Sequence, residues 1–173
     1  MAKAILICGR LCSGKSTYAH ALRRSRRGAV LSIDELLLPL FGQNPGERYD
    51  ACVEITRRIL FQKSLELIES GVDAILDWGF WTKGLREEAR SFYAARGVPC
   101  EFHYLDVPDA EWKRRLRERN AAVKAGGCSA YFVDANLYRK FEGLFEAPSR
   151  EEIDVWVDGG ALPPRSPAAG KSR

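Results

Sequence analysis

The sequence is poor in histidine and has no paired cysteine motif. Only His20 and His103 occur, far apart, and the five cysteines (Cys8, Cys12, Cys52, Cys100, Cys128) form an odd set with no C-x-x-C pair. A disulfide framework and a structural zinc site are both disfavoured, and free thiols in a reducing cytoplasm are expected. Long hydrophobic runs are also missing. The longest, such as Ala4 to Cys8, are strand-sized, against the roughly 20 apolar residues of a membrane-spanning helix. After Met-Ala-Lys the chain runs straight into such a strand, with no apolar stretch leading to a small-residue cleavage site; neither export nor membrane insertion is expected. A strong charge of one sign is lacking as well. The formal net charge is +4, with basic residues concentrated at Arg23 to Arg27 and Lys113 to Arg119, an excess that suits nucleotide phosphates as well as a nucleic-acid backbone.

What is present is the composition of one globular domain: 173 residues, 46% hydrophobic and 29% charged, enough chain to bury a core without covalent staples. Strand-like and helix-like runs alternate, which predicts a parallel sheet covered by helices on both faces. Strands are expected at Ala4–Cys8, Ala29–Ser32, Val72–Leu76, Cys100–Leu105 and Ile153–Val157. The helices between them are expected at Gly14–Arg26, Glu35–Phe41, Asp50–Ser70, Lys83–Arg96, Asp109–Lys124 and Asp134–Phe145. Gly71 and Gly97 sit where left-handed C-caps belong, and Asp50 and Asp134 where N-caps belong. The domain is expected over residues 1–158, and the Pro-, Gly-, Ala- and Ser-rich stretch 159–173 reads as a disordered tail.

The most specific signal is GRLCSGKS, Gly9 to Ser16, a full match to G-x-x-x-x-G-K-[ST] lying directly after a strand and before a helix. Such a turn wraps a phosphate with inward-pointing amides, and the helix behind it aims its positive dipole end at the same anion. Gly9, Arg10, Leu11, Cys12, Ser13 and Gly14 form the cradle. Lys15 is expected to reach the β- and γ-phosphates of ATP, Ser16 to ligate Mg2+, and Thr17 to bond the α-phosphate. Cys12 reads as a small residue that fits the turn, with thiol activation by the helix end as the alternative.

Reactive groups in an open parallel sheet gather at the carboxyl ends of the strands, and two aspartates lie there. Asp34 follows the second strand and is the candidate base for an acceptor hydroxyl; the competing role is the N-cap of the next helix, which Ser32 or Asp34 could fill. Asp77 closes VDAILD, the form of a Walker B element, and is the candidate second magnesium ligand, against a plain strand-ending aspartate. In EWKRRLRERNAAVK, Arg115 and Arg119 share an arc with Trp112, Leu116 and Val123 at 100° per residue. They are expected either to meet triphosphate oxygens or to pair with Asp106 or Glu111. Gly126 and Gly127 would then let a lid around 115–133 close.

The set GRLCSGKST, SIDELL, AILDWGF and RLRERN resembles the small P-loop kinases that include chloramphenicol phosphotransferase, zeta toxins and phage polynucleotide kinase. The resemblance covers Ala4 to Asp158. It implies a nucleoside-monophosphate-kinase-like α/β fold with a five-stranded parallel sheet of order 2-3-1-4-5, Asp34 as base and Arg115 and Arg119 as lid arginines. It also implies that Arg86, in the helix after the third strand, contacts the reacting phosphate or the acceptor. FEAPSREE, Phe145 to Glu152, matches the family's closing stretch without suggesting a physical role.

The activity so implied is ATP-dependent transfer of the γ-phosphoryl group to a hydroxyl of a small molecule. Polynucleotide 5′-hydroxyl kinase and an ATP-hydrolysing regulatory switch are the alternatives. Trp78, Phe80 and Trp81 after Asp77, and Leu36, Leu37, Leu38, Leu40 and Phe41 after Asp34, suggest a partly apolar acceptor and not a nucleic acid; the competing reading is core packing.

Overall fold

The computed structural model describes residues 1–43, 46–128 and 130–159. Strands β1 (Ala4–Cys8), β2 (Gly28–Ser32), β3 (Asp73–Gly79), β4 (Cys100–Asp106) and β5 (Val155–Asp158) form one sheet of order β2-β3-β1-β4-β5. Every neighbouring pair is parallel. The expected P-loop architecture is therefore present, with β1 at the centre.

A strand covered on both faces must be apolar on both, and β1 (AILIC) is wholly buried. Its even residues Ala4, Leu6 and Cys8 pack with Phe61, Tyr93 and Phe102, while Ile5 and Ile7 pack with Ala19, Tyr18 and Leu22. These contacts place α3 (Tyr49–Glu69) and α4 (Lys83–Ala94) on one face and α1 (Lys15–Ser25) on the other.

Beyond these lie α2 (Ile33–Phe41), α5 (Asp109–Lys124) and α6 (Ala135–Leu144). The expected left-handed glycines hold, with φ of 75° at Gly71 and 63° at Gly97. Asp134 caps α6 by accepting from the amides of Asn136 and Leu137. Asp50 does not cap α3. The helix begins one residue earlier behind Arg48, which leaves Asp50 in the first turn, where its charge complements the dipole.

The tail expected from Gly159 onward lies, beyond Gly159, outside the described residues, as does Ser129 of the expected lid. Among the described residues, no helix is long and apolar enough to cross a membrane.

Candidate active site

The turn after β1 is shaped for an anion. Gly9 has φ of +155°, and a Cβ there would lie 2.8 Å from the Ser13 hydroxyl oxygen and 3.3 Å from the Leu105 carbonyl oxygen, so a side chain has no room. Gly14, at φ 96°, is the N-cap of α1, and no side chain caps that helix or places an acid in its first turn. The first amides of α1 thus keep their donors and their dipole for a ligand. The buried Ser13 hydroxyl likewise has no hydrogen-bond partner among the described residues. Cys12 holds a left-handed φ of 60° without being glycine, backbone strain of the kind stored at ligand clamps.

Lys15 folds back onto this turn, its ammonium donating to the carbonyls of Gly9 (3.1 Å) and Arg10 (2.6 Å). Burial lowers its pKa, and the nearby Asp77 and Asp34 carboxylates are among the groups that oppose the shift.

The two aspartates share the carboxyl edge of the sheet, because Ser32 at the end of β2 pairs in register with Asp77 in β3. Ser32 is also the N-cap of α2, its hydroxyl accepting from the Glu35 amide. The cap role is therefore taken, and Asp34, exposed as a residue, is left on the first turn. The surrounding walls still desolvate it and raise its pKa; Asp77 adds to the rise, while Lys15 and Arg119 oppose it. Asp77 is 8% exposed.

Ser16, in the first turn of α1, completes a set of hard oxygen donors. Among the described residues no group of three or more His, Cys, Asp or Glu could cage a metal. A hydroxyl with one or two carboxylates suits magnesium, which keeps waters and substrate phosphates as its other ligands.

The two arginines expected on one arc of α5 do different things. Arg115 donates to Glu111 (2.6 Å), the local carboxylate weighed as its alternative partner, and also to the Ser13 carbonyl (3.1 Å) and the Gly159 carbonyl (2.7 Å). It ties α5 to the phosphate-binding turn. Arg119 donates to the Tyr131 carbonyl (3.2 Å), and its buried Nε has no partner among the described residues. Its charge is close enough to oppose the rise that desolvation brings to the Asp34 pKa.

Arg86 requires a correction. It is 2% exposed and its guanidinium is occupied: Nε donates to Glu152 (2.7 Å), and Nη1 to the carbonyls of Phe80 (3.1 Å), Trp81 (3.4 Å) and Glu146 (3.0 Å). It fastens the loop after β3 to FEAPSREE, and this gives that stretch a physical role. Ser149 and Glu152 close a capping box there, so the carboxylate that pairs Arg86 is itself held.

The apolar acceptor wall is corrected in part. Phe80 belongs to the core, and Trp78 packs against it while donating to the Leu31 carbonyl (3.1 Å). Leu37 is buried with Ile33 and Leu60. Of the three aromatics, Trp81 lines an open cavity, together with residues of the turn, α5 and α6.

Three residues escaped the sequence reading. Tyr49 and Tyr131 meet edge to face at 5.8 Å, and burial raises the pKa of both phenols, with the Asp34 carboxylate adding to the rise. The Gln43 amide bonds both the Ala130 carbonyl (2.7 Å) and the Phe132 amide (2.8 Å). No local motif marks them, since each acts across tens of residues of sequence.

Comparison with solved structures identifies the fold. A sugar kinase from Janibacter sp. HTCC2649 is 20% identical, with 92% of this chain and 86% of that chain covered and a TM-score of 0.61. The Mycobacterium tuberculosis APS kinase CysC, solved with AMPPNP and APS, is 20% identical over 95% of this chain and 90% of its own, with a TM-score of 0.60. A chain of the Pnkp1/Rnl/Hen1 RNA repair complex is 20% identical over 68% of this chain and 37% of that one, with a TM-score of 0.57. No curated protein matches the chain. The family model described as AAA domain matches residues 5–131, which takes in the turn, both aspartates and both α5 arginines, and the chain belongs to that family.

Proposed function

We propose that the protein is an ATP-dependent phosphotransferase that moves the γ-phosphoryl group onto a hydroxyl of a small molecule. The observation that carries this reading is Asp34: an exposed residue on the first turn of α2, released from capping by Ser32, with Asp77, Lys15 and Arg119 close enough to act on its carboxylate. The acceptor O–H gives its proton to Asp34, the oxygen forms a bond to the γ-phosphorus, and the bond from that phosphorus to the β-phosphate oxygen breaks, releasing ADP. Lys15 swings from its carbonyl partners to the β- and γ-phosphates, and Arg119 supplies a spare N–H to the charge that develops. Ser16 and Asp77 would hold Mg2+, which draws charge from the phosphate oxygens when bound. Arg115 keeps the turn in place from α5.

The test is transfer of label from γ-labelled ATP into hydroxylated metabolites and antibiotics, alongside a 5′-hydroxyl oligonucleotide and a control without acceptor. Label in small hydroxyl compounds supports the reading. Salt-sensitive labelling of the oligonucleotide supports the polynucleotide kinase alternative, and release of phosphate unaffected by any acceptor supports the switch.

A further inference from the structure

We propose that a cavity beside the phosphate-binding turn is the seat of a flat ring compound, neutral or singly positive, and that this ring belongs to the phosphoryl acceptor. The assignment to the acceptor rests on the kinase reading; the preference of the cavity for such a ring does not.

The cavity has a volume of about 290 Å³, and Trp81, Trp112, Tyr138, Phe141 and Phe145 line it together with Leu11. That is near the lower end of the roughly 300–1,000 Å³ typical of ligand pockets, room for one or two fused rings. Its walls come as ring pairs. Trp112 stacks on Tyr138 with centroids 5.5 Å apart, and Trp81 meets Phe141 edge to face at 4.5 Å. Both indole N–H groups are already spent on the turn, Trp81 on the Gly9 carbonyl (3.2 Å) and Trp112 on the Leu11 carbonyl (2.5 Å). Neither indole N–H is left for a ligand; Trp112, buried between Tyr138 and Arg10, backs the wall, and stacking against the half-buried Trp81 and Phe141 is the attraction available.

Charge narrows the ligand further. The one cation among the lining residues is Arg10, and Asp109 and Glu142 are the carboxylates, so the lining is net negative. Arg10 is engaged with Asp109 at 2.5 Å and lies over the rings of Trp112 (5.0 Å) and Phe145 (5.8 Å). Among the described lining residues a phosphate, sulfate or carboxylate would meet one cation, Arg10, whose charge Asp109 already offsets. An ammonium would meet aromatic rings and the Glu142 carboxylate, which accepts from the Tyr138 hydroxyl (3.1 Å). Since Arg10 and Leu11 belong to the turn that cradles phosphate, a ring in this cavity sits beside the phosphoryl donor.

Saturation-transfer NMR on the full chain tests the preference with four probes: tryptophol (neutral), tryptamine (positive), indole-3-acetate (negative) and myo-inositol (similar bulk, no aromatic ring). Tryptophol and tryptamine are expected to bind about tenfold more tightly than indole-3-acetate, and myo-inositol to give no signal. Phe141→Ala is expected to weaken tryptophol about tenfold and leave ATP affinity unchanged; if that variant melts early, Phe141→Leu serves instead. Indole-3-acetate or myo-inositol binding as well as tryptophol, or tryptophol binding untouched in a folded Phe141 variant, overturns the proposal. Transfer of label to hydroxyl compounds that do not compete with tryptophol overturns it and leaves the kinase reading standing. Ring binding as expected, without transfer to any hydroxyl, overturns the kinase reading and with it the assignment to the acceptor, and leaves the ring preference supported.

Discussion

Two arginines, the buried Arg86 and the half-buried Arg119, divide the carboxyl end of the sheet into two kinds of region. Around Arg86, Glu152 and three backbone carbonyls use the guanidinium, and the partner carboxylate is itself held by a capping box. Around Arg119, among the described residues, one guanidinium nitrogen is buried without a partner, the Ser13 hydroxyl on the turn is likewise orphaned, and Asp34, its pKa raised by desolvation, has that rise increased by Asp77. A buried polar group left unpaired costs roughly 1–3 kcal/mol. The first region has the economy of architecture. The second keeps an unfavourable arrangement that a triphosphate and an acceptor would relieve.

The sharpest way to break this contrast is to remove the cation at its centre. Lys15→Ala is expected to lower phosphoryl transfer by about 10³-fold, the loss typical of a donor aimed at developing charge, and to weaken ATP binding. The apo protein should melt no earlier, because the burial that lowers the Lys15 pKa is relieved. Transfer at an undiminished rate would remove the turn from the catalytic account.

Asp34→Asn is next in size, with a loss of about 10²-fold or more in turnover for a missing general base and unchanged ATP affinity. The raised pKa of Asp34 adds a pH signature. Turnover should climb with pH through a value above the ordinary aspartate range, since the base works ionised. Stability runs the other way. A folded-state pKa above the unfolded one means that ionised Asp34 destabilises the fold; the effect is absent below the unfolded pKa and complete above the folded pKa. Melting curves of Asp34→Asn and the parent should therefore coincide in acid and separate as pH rises, with the variant more stable. A variant that melts earlier at neutral pH would return Asp34 to a capping role.

The turn, and the place of Asp34 directly after the second strand, were legible because their signals are local. The motif, its strand and its helix lie within Ala4–Ser25, and apolar runs end where β1 ends. The third strand was read too short, as Val72–Leu76, because its apolar pattern stops at Leu76 while backbone pairing continues through Asp77 opposite Ser32 and Gly79 opposite Cys8. Arg86 was misread for a related reason. Glu152, which saturates it, lies 66 residues away, and an arginine in a sequence does not announce its acceptors. The cavity left only a faint trace, the stripe Tyr138, Phe141, Phe145 at spacings of three and four along α6.

Exchanging the two arginines for alanine tests the contrast directly. Arg86→Ala removes the cation paired with Glu152 and one donor from each of three carbonyls, and is expected to cost about 3 kcal/mol or more of stability, with near-normal turnover in the folded fraction. Arg119→Ala is expected to lower turnover about 10²-fold with little change in melting. The comparison fails if both variants lose stability equally, or if Arg86→Ala remains as stable as the parent while losing activity.

The smallest effect is expected at Gln43, just beyond the C-terminal end of α2. Its amide oxygen accepts from the Phe132 amide and its amide nitrogen donates to the Ala130 carbonyl, which clips the segment after α5 onto the helix that carries Asp34. That segment also carries Tyr131, whose carbonyl holds Arg119, so the clip and the arginine share one stretch of backbone. Exposed hydrogen bonds contribute about 1 kcal/mol each at most, and the fold should survive Gln43→Ala with its melting temperature nearly unchanged. Local opening should rise instead: amide exchange at Phe132 is expected to quicken about tenfold, while amides of β1 stay protected. If the segment serves as a lid, the acceptor KM should rise a fewfold, with kcat less affected, because closure and not chemistry has been weakened. Faster exchange with unchanged kinetics would make the clip a structural fastening like that of Arg86, and would move the boundary between the two regions to Arg119 itself.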